Sequence, residues 1–216
     1  MSTTTDEKYE YSYQDGETSH HHAYIIPALM EMISESAPML ENQPKPRILD
    51  IGCGNGSLSN LIAKYGYEVV GVEESESGVQ LARQDFPNCQ FIQGSIYNLP
   101  YAEIGDNFDI VIAAEVIEHL FFPKELVRNA KKCLKPNGRL ILTTPYHGYL
   151  KNTILAVSGK MDQHFTALWD GGHIKFLSVQ TMTNLLQSEG YADIKFKFAG
   201  GFPYVWKSML CTSTLS

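Results

Sequence analysis

Asp50-Ile51-Gly52-Cys53-Gly54-Asn55-Gly56 sets three glycines at alternate positions beside a carboxylate, between the apolar run Arg47-Ile48-Leu49 and a helix-like stretch from Ser57 to Tyr65. Glycine tolerates positive φ and carries no Cβ, so a strand that ends here lets its backbone approach a ligand to contact distance. The next acids, Glu73 and Glu74, close the run Glu68-Val69-Val70-Gly71-Val72. In doubly wound folds a carboxylate about 20 residues past the glycine turn hydrogen-bonds a cofactor's ribose. The pattern therefore predicts a nucleotide-like cofactor held by glycine backbone, with Glu73 on the sugar. Histidine offers the second kind of chemistry, since its side chain titrates near neutral pH and serves as a general base. His119 and His147 directly follow apolar runs, and His164 and His173 fall in the aromatic stretch that comes next.

The elements that must carry these groups alternate along the chain. Short apolar runs near 47–51, 68–72, 90–93, 108–114 and 138–144 read as strands, and 57–65, 76–84 and 123–134 read as helices. Pro123 at a helix start, and Gly66 and Gly190 just past helix ends, fit the usual asymmetry of those residues. Such alternation implies parallel strands joined by right-handed crossovers, with helices on both faces. A helix over 23–37, with Ile26, Leu29, Met30 and Ile33 at helical spacing, precedes this core. After it come a helix over 178–189, an alternating strand over 194–198 and a last strand over 204–210. Ligands bind such sheets outside the carboxyl ends of the strands, where the four histidines fall. The stretch 146–177 breaks the rhythm with about thirty residues rich in Tyr, His, Trp, Phe and Gly, and is expected to be a substrate lid.

Taken in order, D-x-G-x-G-x-G with its acidic strand end, Phe108 to His119, and Leu134-Lys135-Pro136-Asn137-Gly138 with the run after it resemble the class I S-adenosylmethionine-dependent methyltransferases. The likeness runs from about Pro46 to Met209, and more narrowly resembles the branch of the ubiquinone-biosynthesis O-methyltransferases. It implies a Rossmann-like, seven-stranded, mostly parallel α/β sheet with an antiparallel edge strand and helices on both faces. It also implies S-adenosylmethionine as cofactor, contacted by Gly52, Cys53, Gly54, Gly56, Glu73, Glu74, Ile96 and Ala114, with Asp50 acting indirectly. Relatives commonly carry an aspartate after the third strand to bind the adenine amino group; here Ser95 stands in that role, which puts one adenine contact in doubt. The resemblance favours methyl transfer to a hydroxyl of a small molecule, ahead of nitrogen or carbon, with His119, His147 and His173 as candidate catalytic bases. Glu115, Glu118 and His119 resemble an E-x-x-E-H metal-binding motif found in some relatives, and His147 or His173 would add a fourth ligand to a divalent ion. The plain alternative is a helix cap that ties down the lid. Phe165, Trp169 and Tyr146 would wall an aromatic or isoprenoid substrate.

Composition sets the outer bounds. A chain of 216 residues with 44% apolar content suits one domain, read as residues 23–216 with 146–177 as lid insertion. Residues 1–22 are expected to be a disordered or cofactor-covering N-terminal segment, the resemblance implies that Tyr13, His21 or, just beyond it, Tyr24 closes the cofactor pocket, and the triplet His20-His21-His22 reads as native sequence. A net charge of −7 lacks the basic footprint that long nucleic acids require. The four cysteines, without C-x-x-C spacing, read as reduced thiols with no disulfide or zinc frame. No stretch approaches the length of a membrane span, and a cytoplasmic enzyme follows. Two other classes share some features: a nicotinamide-dependent oxidoreductase, and a non-catalytic methyltransferase-like subunit.

Overall fold

The computed structural model of the protein describes residues 23–215. Seven strands, β1 (Arg47–Ile51), β2 (Glu68–Glu73), β3 (Gln90–Gln93), β4 (Phe108–Ala114), β5 (Leu134–Pro145), β6 (Tyr191–Ala199) and β7 (Ser208–Leu215), form one sheet in the order β3-β2-β1-β4-β5-β7-β6. The first five pair in parallel, and β7 runs antiparallel between β5 and β6. The order reverses between β1 and β4, which opens a crevice at their carboxyl ends.

Strand residues alternate between two buried faces, which is why the runs are apolar throughout. Ile48, Ile110, Ile112 and Ile141 pack with α1 (Ile26–Ser36) and α2 (Ser57–Lys64). Leu49, Val111, Leu140 and Leu142 pack on the other face with α5 (Pro123–Cys133) and α8 (Val179–Ser188). The remaining helices are α3 (Glu76–Asp85), α4 (Tyr101–Ile104), α6 (Tyr149–Val157) and α7 (Met161–Phe165). Truncating one of the central residues, such as Val111 or Leu140, both fully buried, removes contacts worth about 2 to 4 kcal/mol. Ser75 caps α3 through Gly78 N, and Ser178 with Thr181 forms a capping box on α8. Pro123 opens α5, and Gly66 and Gly190 follow α2 and α8 in the left-handed region.

Two expectations need correction. β5 begins at Leu134 rather than near 138, because Asn137 takes φ 63° and the segment is absorbed as an irregularity in the pairing with β4. The space at Gly138 requires this residue, since a Cβ would lie 2.9 Å from Lys135 O and 3.0 Å from Phe108 O. The last strand starts at Ser208, not 204, because Gly200, Gly201 and Tyr204 all adopt positive φ and turn the chain first. The stretch 146–177 holds α6 and α7. The N-terminal readings on residues 1–22, Tyr13 and the histidine triplet included, lie outside the described residues. Among the described residues no helix is long and apolar enough to cross a membrane.

Candidate functional site

The turn after β1 is shaped by its glycines. Gly52, Gly54 and Gly56 have φ of 77°, 56° and 78°. A Cβ on Gly52 would sit 2.6 Å from Val116 Cγ2, and one on Gly56 would sit 2.7 Å from the Phe91 ring. Gly52 N and Cys53 N donate to Val72 O, stitching the turn to β2. Glu73, at the end of β2, accepts from Gly54 N at 2.9 Å through Oε2 and from Ser75 N at 2.8 Å through Oε1. A carboxylate offers about four lone-pair positions, so capacity remains for a ligand's hydroxyls. Burial raises the Glu73 pKa, and those backbone donors counter the rise.

A cavity of about 840 Å³ opens at this end of the sheet. Gly52, Glu73, Glu74 and Ile96 line it; Cys53, Gly54, Gly56, Ser95 and Ala114 do not. Asp50 lies behind the turn, fully buried, and accepts from Ser59 Oγ at 2.6 Å. Burial pushes its pKa up to about 7, with the Ser59 hydroxyl opposing. It braces β1 against α2 and acts on the cavity only through the turn. Ser95 pairs with Asn98 in a single bridge. Tyr97, which sequence reasoning passed over, lines the cavity, and its hydroxyl accepts from Phe121 N at 3.0 Å. Its signal was present: it follows Ile96 in the loop after β3.

The other end of the cavity is acidic and rich in imidazole. Glu115 has φ 56°, and its backbone N donates to Thr143 Oγ1 at 3.0 Å while its Oε1 accepts from the same hydroxyl at 2.9 Å. Burial raises its pKa to about 7, opposed by the hydroxyls of Thr143 and Ser208 and by the Lys151 ammonium. Glu118 sits in the 3-10 turn Ile117–His119 with no solvent exposure, and its carbonyl accepts from Ile174 N and Lys175 N, both at 2.9 Å. Among the described residues neither of its carboxyl oxygens has a hydrogen-bond partner. Burial, then the charge of Glu115, drives its pKa well up; the nearby Thr144 hydroxyl offsets part of this without completing a well-formed bond.

His119 Nδ1 meets Gly171 O at 2.8 Å and Gly172 O at 3.3 Å. Facing carbonyls, Nδ1 carries the proton, so Nε2 bears the lone pair that binds a metal or a proton. Burial lowers the His119 pKa. The rings of His119 and His173 lie edge to face at 4.8 Å between centroids. Ligand atoms of Glu118, His119 and His173 all fall within 4.8 Å of one another. The structure thus brings together Glu118, His119 and, from the lid, His173, while Glu115 lines the cavity but stands outside that group, bonded to Thr143.

His147, expected at the open end with the other bases, does not line the cavity. It is buried, stacked on Phe165 at 5.8 Å and edge-on to Phe176 at 5.1 Å. Burial lowers its pKa to about 4, helped by the charges of Lys151 and His164. Phe165 and Trp169 do wall the cavity, whereas Tyr146 packs against Phe198 and Trp206 instead. Lys151, also missed in the sequence, is the one buried side chain of α6; its Nζ donates to Tyr146 O at 2.9 Å and Lys207 O at 3.4 Å.

A family model described as a methyltransferase domain matches residues 42–190. Among curated relatives, the mitochondrial ubiquinone biosynthesis O-methyltransferase of Schizosaccharomyces pombe is 29% identical over 157 residues, 67% of this chain and 54% of that protein. The ubiquinone biosynthesis O-methyltransferase of Azorhizobium caulinodans is 35% identical over 140 residues, 63% of this chain and 54% of that protein. The chain therefore spans about half the length of these relatives. Magnesium protoporphyrin IX methyltransferase of Synechocystis, solved with SAH, superposes with a TM-score of 0.67 at 21% identity, covering 94% of this chain and 91% of that one. The likeness in structure fixes the Rossmann-like fold.

Proposed function

This chain belongs to the family of S-adenosylmethionine-dependent methyltransferases, and from that premise we propose that it methylates a hydroxyl of a small-molecule acceptor. The single observation that carries the reading is the two-ended cavity: a glycine turn with Glu73 at one end, and His119 and His173, backed by the buried Glu118, at the other. The cofactor fits the first end, because Gly52 brings bare backbone to the cavity wall and Glu73 beside it keeps lone pairs for a ribose. When bound, S-adenosylmethionine supplies an electrophilic methyl group on a sulfonium. The chain's own work is to align the acceptor and to take its proton. Alignment is worth about 7 to 11 kcal/mol, and a placed base adds about 10²- to 10⁴-fold. In the metal-free form of this reading, His119 Nε2, oriented by the Gly171 and Gly172 carbonyls, is the base. His173 supports it from across the ring contact.

A metal-dependent form is favoured by the Glu118 carboxylate, since a fully buried acid with no partner costs several kcal/mol unless something satisfies it. Glu118, His119 and His173 are a donor set suited to a divalent ion, which when bound would acidify the acceptor hydroxyl. The imidazoles would then be ligands, and Glu115, the acid left facing the cavity, would receive the proton. Residues 146–177 serve as the acceptor lid, a role supported by Phe165, Trp169 and His173 lining the cavity. The four cysteines are free thiols, which supports a reducing compartment such as the cytoplasm.

Calorimetry with S-adenosylhomocysteine and turnover on a panel of phenols and catechols, with and without chelator, test the reading. Binding with hydroxyl methylation is the expected result, and loss of turnover on chelation selects the metal-dependent form. No binding of S-adenosylhomocysteine to the folded protein overturns the proposal.

A further inference from the structure

Resting on the O-methylation reading, we infer that the acceptor is an aromatic hydroxyl compound bearing no anionic group, and that the cavity rejects carboxylated or phosphorylated analogues by charge. The wall has two characters. Phe121, Phe165, Trp169 and Ile174 supply flat and branched apolar surface, on which an aromatic ring packs face-on or edge-on. Glu73, Glu74, Glu76, Glu115 and Asp170 supply carboxylates, and among the described residues no lysine or arginine lines the cavity. Proteins that bind a carboxylate or phosphate bring a guanidinium fork or an ammonium to it.

The buried ammonium closest to this chemistry, Lys151 Nζ, is committed to the carbonyls of Tyr146 and Lys207, and its charge falls on Glu115. A divalent ion at Glu118, His119 and His173 would bring two positive charges to one end, and against them stand its ligand Glu118 and the lining carboxylates of Glu73, Glu74, Glu76 and Asp170. Nor does the rest of the chain supply a basic field: residues 1–22 hold one lysine against five carboxylates, and the whole sequence carries −7. An acidic, low-dielectric cleft focuses a repulsive field on incoming anions and an attractive one on cations. The cofactor, with its sulfonium, and a neutral or cationic ring are compatible with that field.

The test uses the full chain and three probes that share one ring: a methyl-, an aminomethyl- and a carboxyl-substituted catechol. Methylation is measured as kcat/KM at low and at high salt, and binding of each probe to the S-adenosylhomocysteine-loaded protein is measured by calorimetry. The methyl and aminomethyl probes are expected to exceed the carboxyl probe by at least about tenfold at low salt, with the gap narrowing as salt screens the field. Asp170→Lys should narrow it again. A carboxyl probe bound or methylated as well as the methyl probe overturns the inference, as does a gap indifferent to both salt and Asp170→Lys, or the failure of all three probes to bind. The expected order in binding without methylation of any probe keeps the charge selection and removes the O-methylation reading, so the two fail separately.

Discussion

At the cofactor end of the cavity Glu73 accepts from Gly54 N and Ser75 N, and Asp50 from Ser59 Oγ, so both buried carboxylates are held before any ligand arrives. At the acceptor end Glu118 Oε1 and Oε2, Thr144 Oγ1, His147 Nδ1 and Asn152 Oδ1 are buried without well-formed hydrogen bonds among the described residues. The first arrangement is preorganised: ordering cost is met in folding, and the ligand finds its contacts in place. The second stores an unmet demand for polar partners, which a folded protein tolerates where binding or chemistry relieves it. Substitutions in the two ends should therefore move stability in opposite directions, and that contrast can be broken by experiment.

The largest effect is expected at the glycine turn. Gly52→Val places a branched side chain at φ 77° with its Cβ 2.6 Å from Val116 Cγ2. Left-handed strain and overpacking together cost about 2 to 5 kcal/mol. Thermal unfolding should show that loss, and calorimetry should show no measurable S-adenosylhomocysteine binding. Gly159→Ala provides the control in the lid, because its φ is also positive, at 67°, but no atom lies within 4 Å of the added Cβ. It should cost about 1 to 2 kcal/mol and leave cofactor affinity alone.

Next comes Glu73→Ala, which orphans two backbone N–H groups and removes the ribose ligand. A hydrogen bond to a charged group is worth about 1.5 to 3 kcal/mol, so S-adenosylhomocysteine affinity should fall roughly 10- to 100-fold. Stability should fall with it. Equal affinity in wild type and variant would show that this end does not grip the sugar.

The acceptor end should answer with the opposite sign. Glu118→Met fills similar volume without a buried unpartnered acid, and should raise the stability of metal-free protein by about 1 to 3 kcal/mol while abolishing turnover. Destabilisation by the same amount would mean that the carboxylate already has a structural partner, and the proposed contrast between the two ends would fail.

How far each end could be read in advance follows from the range of its constraints. The glycine turn is a local matter of φ and missing Cβ, so Gly52, Gly54, Gly56 and the spacing to Glu73 announced it within one strand-turn-strand interval. Parallel strands covered by helices on both faces followed from alternation, because apolar runs such as Ile48-Leu49 bury both faces. The acceptor end depends on distant pairings: Glu118 and His119 are neighbours in sequence, but His173 joins them only after the lid folds back onto the Glu118 carbonyl. Lys151 defied its helix. The apolar Leu150, Ile154 and Val157 of α6 are exposed, while the lysine turns in to bridge the Tyr146 and Lys207 carbonyls, a demand set by the ends of β5 and β7 and invisible in helical periodicity. The first residues of β5 and β7 were misplaced for a related reason, since positive φ at Asn137 and at Tyr204 belongs to pairing geometry and not to residue type.

The smallest effect distinguishes polar groups that serve the reaction from those that merely support the lid. His147 is buried among Phe165, Phe176 and His164, and its pKa falls from 6.5 to about 4 because burial penalises the imidazolium. A base with a lowered folded pKa is neutral in both states at pH 7, where its contribution to stability is complete. As pH drops below 6.5 the unfolded chain takes up a proton that the folded chain refuses, and stability is lost down to about pH 4. One unit of pH inside that window is worth at most about 1.4 kcal/mol for one such group. His147→Phe preserves the aromatic packing and removes both the titration and the buried Nδ1, so whatever gap separates wild type and variant near pH 7 should widen in the variant's favour by up to about 1 kcal/mol per unit between pH 6 and 5. Because His147 stands outside the cavity, turnover at pH 7 should stay within about twofold. A large loss of kcat with unchanged stability would instead move this histidine from lid support into the chemistry, and the acceptor end would have to be redrawn around it.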